Sequence, residues 1–168
     1  DERGTAFRTL GFGRATGRPA VWITTSGTAL ANGYPAIVEA SMERVPMLLL
    51  TADRPPELRD TDANQTIRQD HMFGRYVTWF TELAPPSSDL PAEVALTTID
   101  QAIARSVDGP VHVNCLFREP LAPTVEPFDS TMSERLSTWM NGHHPFTDYR
   151  KASSVNREDV DPLLERLR

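Results

Sequence analysis

Val21-Trp22-Ile23-Thr24-Thr25-Ser26-Gly27-Thr28-Ala29-Leu30-Ala31-Asn32 changes character within twelve residues: a short apolar run, a turn of small polar residues, then a helical pattern continuing to about residue 41. The apolar run reads as a buried strand. A strand that turns through Ser-Gly-Thr into a helix directs free backbone N–H groups, and the positive end of the helix dipole, at one point in space. In an open α/β sheet that point is where ligands are held. The turn therefore predicts a site for a cofactor or an anionic ligand, without saying which.

Working outward, apolar positions at Ala6, Phe7, Leu10 and Ala15 predict a helix before the strand, ended by Gly17 and Pro19. The helix over 28–41 offers Leu30, Ile37, Val38 and Met42 as its inner face, with Pro35 near its first turns, where proline does least harm. Residues 47–51 form the next apolar strand, and two such strands joined by a helix imply a parallel pair with both faces covered. Residues 53–75 are polar, the length of a loop that is functional or mobile. A strand or irregular edge segment is expected over 77–83. A helix running to about 106 follows, with Asp89 as its cap, Pro91 early and Val94, Ile99, Ala102 and Ile103 along it; a closing strand spans 111–115. This order predicts an α/β fold, a mainly parallel sheet with helices on both faces.

Beyond that unit, Pro120, Pro123 and Pro127 space out an extended segment. The expected division is a domain over 1–121, a linker over 122–155 with a short helix at 132–140, and the first helix of a second domain over 156–168. That last helix is capped by Asn156 and carries Val160, Leu163, Leu164 and Leu167 on one face. The chain begins at Asp1 without Met, inside a helix start, and is expected to be a fragment of a longer protein.

The 168 residues are 39% hydrophobic and 24% charged, as in an ordinary globular protein, with 17 basic against 23 acidic residues and a net charge of −6. No basic block accompanies aromatics, which argues against a nucleic-acid surface. No run approaches the roughly 20 apolar residues that span a bilayer. Cys115, the single cysteine, lies in the apolar run Val111-His112-Val113-Asn114-Cys115 and fits a reducing cytoplasm and a structural thiol.

Several residues have both a structural and a chemical reading. Glu2 heads the first helix, where a carboxylate is favourable in any case. Ser26 lacks the Gly-x-Ser-x-Gly context of a nucleophile, and no Gly-Lys-Ser/Thr follows to make a P-loop. Thr28 and Asn32 fall one turn apart and either share a ligand edge or are solvated. Arg54, at the end of the second strand, either presents a planar fork to a carboxylate ligand or pairs with Asp53 or Glu57. Asn64 and Gln65 are polar groups in a loop able to close over a site. His143-His144 has no partner at metal-ligand spacing and reads as a surface pair; His112 reads as a hydrogen-bonded core histidine.

Glu2 heading a helix, Gly17-Arg18-Pro19-Ala20-Val21, Thr25-Ser26-Gly27-Thr28 with Asn32, and Gly109-Pro110-Val111-His112-Val113-Asn114 together resemble the pyrimidine-binding domain of thiamine-diphosphate-dependent decarboxylases and synthases. More narrowly, Asp1-Glu2-Arg3, Thr51-Ala52-Asp53-Arg54-Pro55-Pro56-Glu57-Leu58, Ala63-Asn64-Gln65 with Gln69, and Phe117-Arg118-Glu119-Pro120-Leu121 are similar to the synthases of menaquinone biosynthesis, the MenD family. The resemblance implies an enzyme that decarboxylates 2-oxoglutarate and adds the resulting succinic-semialdehyde carbanion equivalent to isochorismate. Its cofactors would be thiamine diphosphate and Mg²⁺ or Mn²⁺.

By the same resemblance, Glu2 is the catalytic carboxylate on N1′ of the aminopyrimidine. Ser26, Gly27, Thr28 and Asn32 line the pyrimidine, and Arg54, Asn64 and Gln65 meet substrate. The diphosphate and metal would be bound outside this chain, by a domain with a Gly-Asp-Gly…Asn motif that is not found in these 168 residues. A homo-oligomer, dimer or tetramer, is implied for the full-length enzyme, and the fragment alone would be inactive. The competing readings are another thiamine-dependent enzyme, of acetolactate synthase or 2-oxoacid decarboxylase type, and a non-catalytic binding or oligomerisation module.

Overall fold

The computed structural model describes residues 1–122 and 130–150. The first helix, α1 (Glu2–Thr16), starts where the Asp1 side chain accepts the Arg3 N–H at 3.1 Å and stops at Gly17, whose φ of 67° is left-handed. It buries Ala6, Thr9, Leu10 and Gly13, whereas Phe7 and Ala15, two of the apolar positions that define the pattern, lie on its exposed side. Close approach explains this choice of face. A Cβ on Gly13 would lie 2.5 Å from the Pro46 carbonyl oxygen, so the helix meets the chain through its smallest residues.

Four strands follow: β1 (Ala20–Thr24), β2 (Met47–Asp53), β3 (Trp79–Leu83) and β4 (Pro110–Leu116). They form one sheet in the order β1-β2-β4-β3, every neighbouring pair parallel. The expectation that β1 is buried on both faces fails, because β1 is an edge strand. Its Trp22 and Thr24 point into the core, while Val21 and Ile23 on the other face are 51% and 72% exposed. The helix on that face, α3 (Ala92–Arg105), packs on β3 and β4 and leaves β1 uncovered.

The expected helix over 28–41 is two pieces, a 3-10 helix (Gly27–Gly33) and α2 (Tyr34–Met42), with Pro35 at the start of α2, where its missing N–H costs nothing. The change of pitch shifts the inner face to Leu30, Ala36, Ile37 and Ala40. Val38 is half-buried and Met42 is exposed, contrary to the simple helical spacing. The main core joins these residues to Ala6, Leu10, Trp22, Met47, Leu49 and Phe73. A second core of Leu48, Ala102, Val111 and Val113 lies under α3. Helices therefore cover both faces of the sheet.

Asp89 does not cap α3; the extended Pro91 precedes its first turn, and no side chain accepts there. Within the expected linker, α4 (Ser130–Met140) forms, with Arg135 paired to Glu93 at 3.3 Å, and the Thr147 N–H donates to Asp100 Oδ2 at 2.7 Å. Pro123, Pro127 and the helix expected over 156–168 lie outside the described residues. Among the described residues no helix is long and apolar enough to cross a membrane.

Candidate functional site

Because all four strands are parallel, their carboxyl ends share one edge. The register aligns Thr24 with Thr51, Thr51 with Asn114, and Asn114 with Glu82. Side chains in register share a face, so a polar row crosses the whole sheet on its Trp22 side. The row below it is Trp22, Leu49, His112 and Phe80. A polar band thus sits directly on an aromatic floor, beneath the loops that follow the strands.

The hydrogen bonds of this band interlock around Thr51 and Asn114, while Thr24 Oγ1 at its β1 end is buried without a partner. Thr51 Oγ1 donates its single proton to Asn114 Oδ1 at 2.8 Å. His112 Nε2, 2.7 Å from that hydroxyl, must therefore be the donor to it. Asn114 Nδ2 donates to Asp53 Oδ2 at 2.8 Å and Glu82 Oε1 at 3.1 Å. Gln69 Nε2 donates to Asn114 Oδ1 and to the Ala52 carbonyl, each at 3.0 Å, and its Oε1 accepts the Gly27 N–H at 2.8 Å. Arg59 bridges the Asp53 and Glu82 carboxylates.

Burial works to raise the Glu82 carboxyl, but hydrogen bonds from Arg59 and Asn114 outweigh it and hold the group below its ordinary value. Burial pushes His112 down to about 3, so the ring is neutral, with Nδ1 unpartnered. Burial also pushes the Cys115 thiol up to about 11, which makes it a poor nucleophile.

The residues singled out in the sequence distribute around this band. Ser26 is buried, and Gly27 has a φ of 82° with its α-carbon against Gln65; a Cβ there would lie 2.8 Å from Gln65 Cγ. Gln65 Nε2 donates to Thr25 Oγ1 at 3.0 Å and the Ser26 carbonyl at 2.9 Å, so the long loop does close over the turn. The expectation that the turn presents free N–H groups to a ligand fails at Gly27, whose N–H is taken by Gln69. Thr28 and Asn32 are exposed, and the Asn32 amide donates to the Thr28 carbonyl at 3.1 Å.

Arg54 pairs with neither carboxylate considered for it. Asp53 is engaged by Arg59 and Asn114, and Glu57 by Arg118 at 2.5 Å. The Arg54 guanidinium reaches the Asn64 carbonyl at 3.4 Å, and its buried Nε has no partner. Glu2, half-buried in the first turn of α1, has a carboxylate with no hydrogen bond or ion pair among the described residues. Trp22 Nε1 donates to Thr5 Oγ1 at 3.0 Å and so fixes that end of α1 beside β1.

Among the described residues no group of three His, Cys, Asp or Glu side chains is gathered for a metal, and the His143-His144 pair lies in irregular chain. Arg59 escaped the sequence reading, and Asn114 and Gln69 entered it only as parts of motifs. The available signal was Asn114 itself, a polar residue inside an apolar strand, which must find buried partners.

Residues 1–72 match the family described as thiamine pyrophosphate enzyme, N-terminal TPP binding domain. The 2-succinyl-5-enolpyruvyl-6-hydroxy-3-cyclohexene-1-carboxylate synthase of Salinibacter ruber is 53% identical over 172 residues, covering 100% of this chain and 29% of that protein. The synthase of the same name from Rubrobacter xylanophilus is 53% identical over 94% of this chain and 27% of its own length. Protein PHYLLO, chloroplastic, of Arabidopsis thaliana is 45% identical over 95% of the chain and 10% of its own length.

Among solved structures, benzoylformate decarboxylase from Polynucleobacter necessarius superposes with a TM-score of 0.63 at 16% identity. The match covers 99% of this chain and 28% of that one, a likeness of fold. The chain thus spans about three-tenths of the length of the bacterial synthases it matches. By sequence over its whole length and by the domain at its start, the chain belongs to the thiamine-diphosphate-dependent enzymes, in the family of the 2-succinyl-5-enolpyruvyl-6-hydroxy-3-cyclohexene-1-carboxylate synthases.

Proposed function

We propose that this chain is the pyrimidine-binding part, over residues 1–121, of a longer enzyme of menaquinone biosynthesis. That enzyme decarboxylates 2-oxoglutarate and transfers the succinyl carbanion equivalent to isochorismate. It is a carboligase-type transferase that uses thiamine diphosphate with Mg²⁺ or Mn²⁺, acts as a homo-oligomer and resides in the cytoplasm. The observation that carries the reading is the pair of uncompensated charges at one sheet edge: Glu2 without a partner and Arg54 without a carboxylate. A buried guanidinium nitrogen left unpaired is costly, and an anionic ligand repays it.

When bound, thiamine diphosphate supplies the carbon that accepts the 2-oxo acid and stabilises the charge left as CO2 departs. Glu2 suits one task beside it, accepting a short hydrogen bond from a ring nitrogen of the aminopyrimidine and so setting that ring's protonation. The Ser26-Gly27-Thr28 turn and Asn32 form a neutral wall for the ring. With the Gly27 N–H already used, that wall is unsuited to the diphosphate, which is assigned with the metal to residues outside this chain. Arg54 fits a carboxylate of either dicarboxylic substrate, flanked by Asn64 and Gln65.

The test is an assay of the full-length protein with 2-oxoglutarate and isochorismate, against pyruvate as the competing donor. Turnover with the first pair and not with pyruvate is expected. Glu2→Gln should lower turnover by at least a hundredfold, and near-normal turnover would reject the role given to Glu2.

A further inference from the structure

Gln69 lies in the loop between β2 and β3, yet it is 1% exposed, and its amide makes three bonds to three separate parts of the site. Its oxygen holds the Gly27 N–H of the turn that follows β1. One N–H holds the Ala52 carbonyl, two residues before Arg54. The other N–H holds Asn114 Oδ1 on β4, and Asn114 in turn holds Asp53, the residue next to Arg54. Asp53 Oδ1 also accepts the Arg54 backbone N–H at 2.7 Å. The position of Arg54 relative to the cofactor wall is therefore spanned by one side chain and its neighbour.

We infer that Gln69, seated on Asn114, is a positioning residue that sets the distance between the Ser26-Gly27-Thr28 wall and Arg54. An apolar residue of the same length would leave the Gly27 N–H, the Ala52 carbonyl and part of Asn114 without buried partners. The two loops would then relax independently toward water. This inference rests on the proposed function, since it assigns the wall to cofactor and Arg54 to a substrate carboxylate. Gln69 acts through Arg54, so its effect on substrate must depend on Arg54 being present.

The experiment is a double-mutant cycle in the full-length enzyme, reading KM for 2-oxoglutarate and isochorismate, kcat, the apparent Kd of thiamine diphosphate and Tm. Gln69→Met is expected to raise KM for at least one dicarboxylate by fivefold or more, and to weaken cofactor binding. On an Arg54→Ala background it should change that KM by less than twofold. Gln69→Glu keeps an acceptor for Gly27 and loses the donors. It should raise the same KM with cofactor affinity within twofold of the parent, and it serves where the Met variant does not fold.

Leu10→Ala, in the core beneath α1, lowers Tm without moving KM and separates stability from positioning. Independent, multiplicative effects of Gln69 and Arg54, or a fall in Tm with unchanged KM, would overturn the inference alone. If the unaltered enzyme does not turn over 2-oxoglutarate and isochorismate, the functional reading falls and this inference falls with it.

Discussion

His112 lies fully buried against the rings of Phe73 and Phe80, at centroid distances of 5.0 and 5.1 Å, with Nε2–H on Thr51 and Nδ1 unpartnered. Its folded pKa, lowered by burial to about 3, lies below the ordinary value of 6.5. Between those two values the unfolded chain binds the extra proton and the folded chain does not. Stability from this group is complete above pH 6.5 and is lost as pH falls toward 3, with a slope approaching ~1.4 kcal/mol per pH unit. Urea unfolding between pH 7 and pH 5 should show this slope, above the range in which the Glu82 carboxylate contributes. His112→Leu should flatten it, and an unchanged slope would mean that the ring is not held neutral. The core role of His112 was legible from its place in an apolar strand; its tautomer was not. That depends on where Thr51 sends its one proton, a contact 61 residues away in sequence.

At the scale of elements, what could be read from sequence was what local periodicity and caps determine. The end of α1 follows from Gly17, and β2 and β4 from continuous apolar runs, whereas the cap read at Asp89 does not form. What could not be read depends on neighbours. Edge or centre is a property of the sheet, so Val21 and Ile23 gave no sign of lying exposed. The 3-10 segment before α2 arises where Trp22 packs across Gly33, which no periodicity encodes. A Cβ at Gly33 would lie 2.2 Å from the Trp22 ring, with two further ring atoms within 2.8 Å. Trp22 cannot retreat, since it is 2% exposed and its Nε1 is bound to Thr5. Gly33→Ala should therefore behave as overpacking rather than as a helix-favouring change, at a cost of ~1–3 kcal/mol. The urea midpoint should fall with an unaltered m-value, and a rise in stability would show that the ring has room to move. The same limit applied to the site: Arg54, Asn64 and Gln65 stood out as exposed-type residues in a loop. The polar band beneath them is assembled from four strands and could only be seen once they were aligned.

For the molecule as a whole, the balance between satisfied and unsatisfied groups predicts what the 168 residues can do alone. The wall of the site is largely self-sufficient, since Gln69 holds the Gly27 N–H and Asn114, while Gln65 holds Thr25 and the Ser26 carbonyl. That rigidity suits the neutral ring of a cofactor, but it offers little to a diphosphate, whose recognition needs several N–H donors or a bound cation. The chain's net charge of −6 also works against capture of a polyanion from solution. On the proposed function, affinity for thiamine diphosphate is expected to come mainly from residues other than these 168, which span about three-tenths of the bacterial synthases they match. Titration calorimetry of the isolated chain with thiamine diphosphate and Mg²⁺ should accordingly give no heat of binding at micromolar concentrations, and the chain should show no turnover of 2-oxoglutarate with isochorismate. The full-length protein should bind the cofactor under the same conditions. Micromolar binding by the isolated chain would show that the turn and Glu2 hold the cofactor without help, and would overturn the assignment of the diphosphate to residues elsewhere.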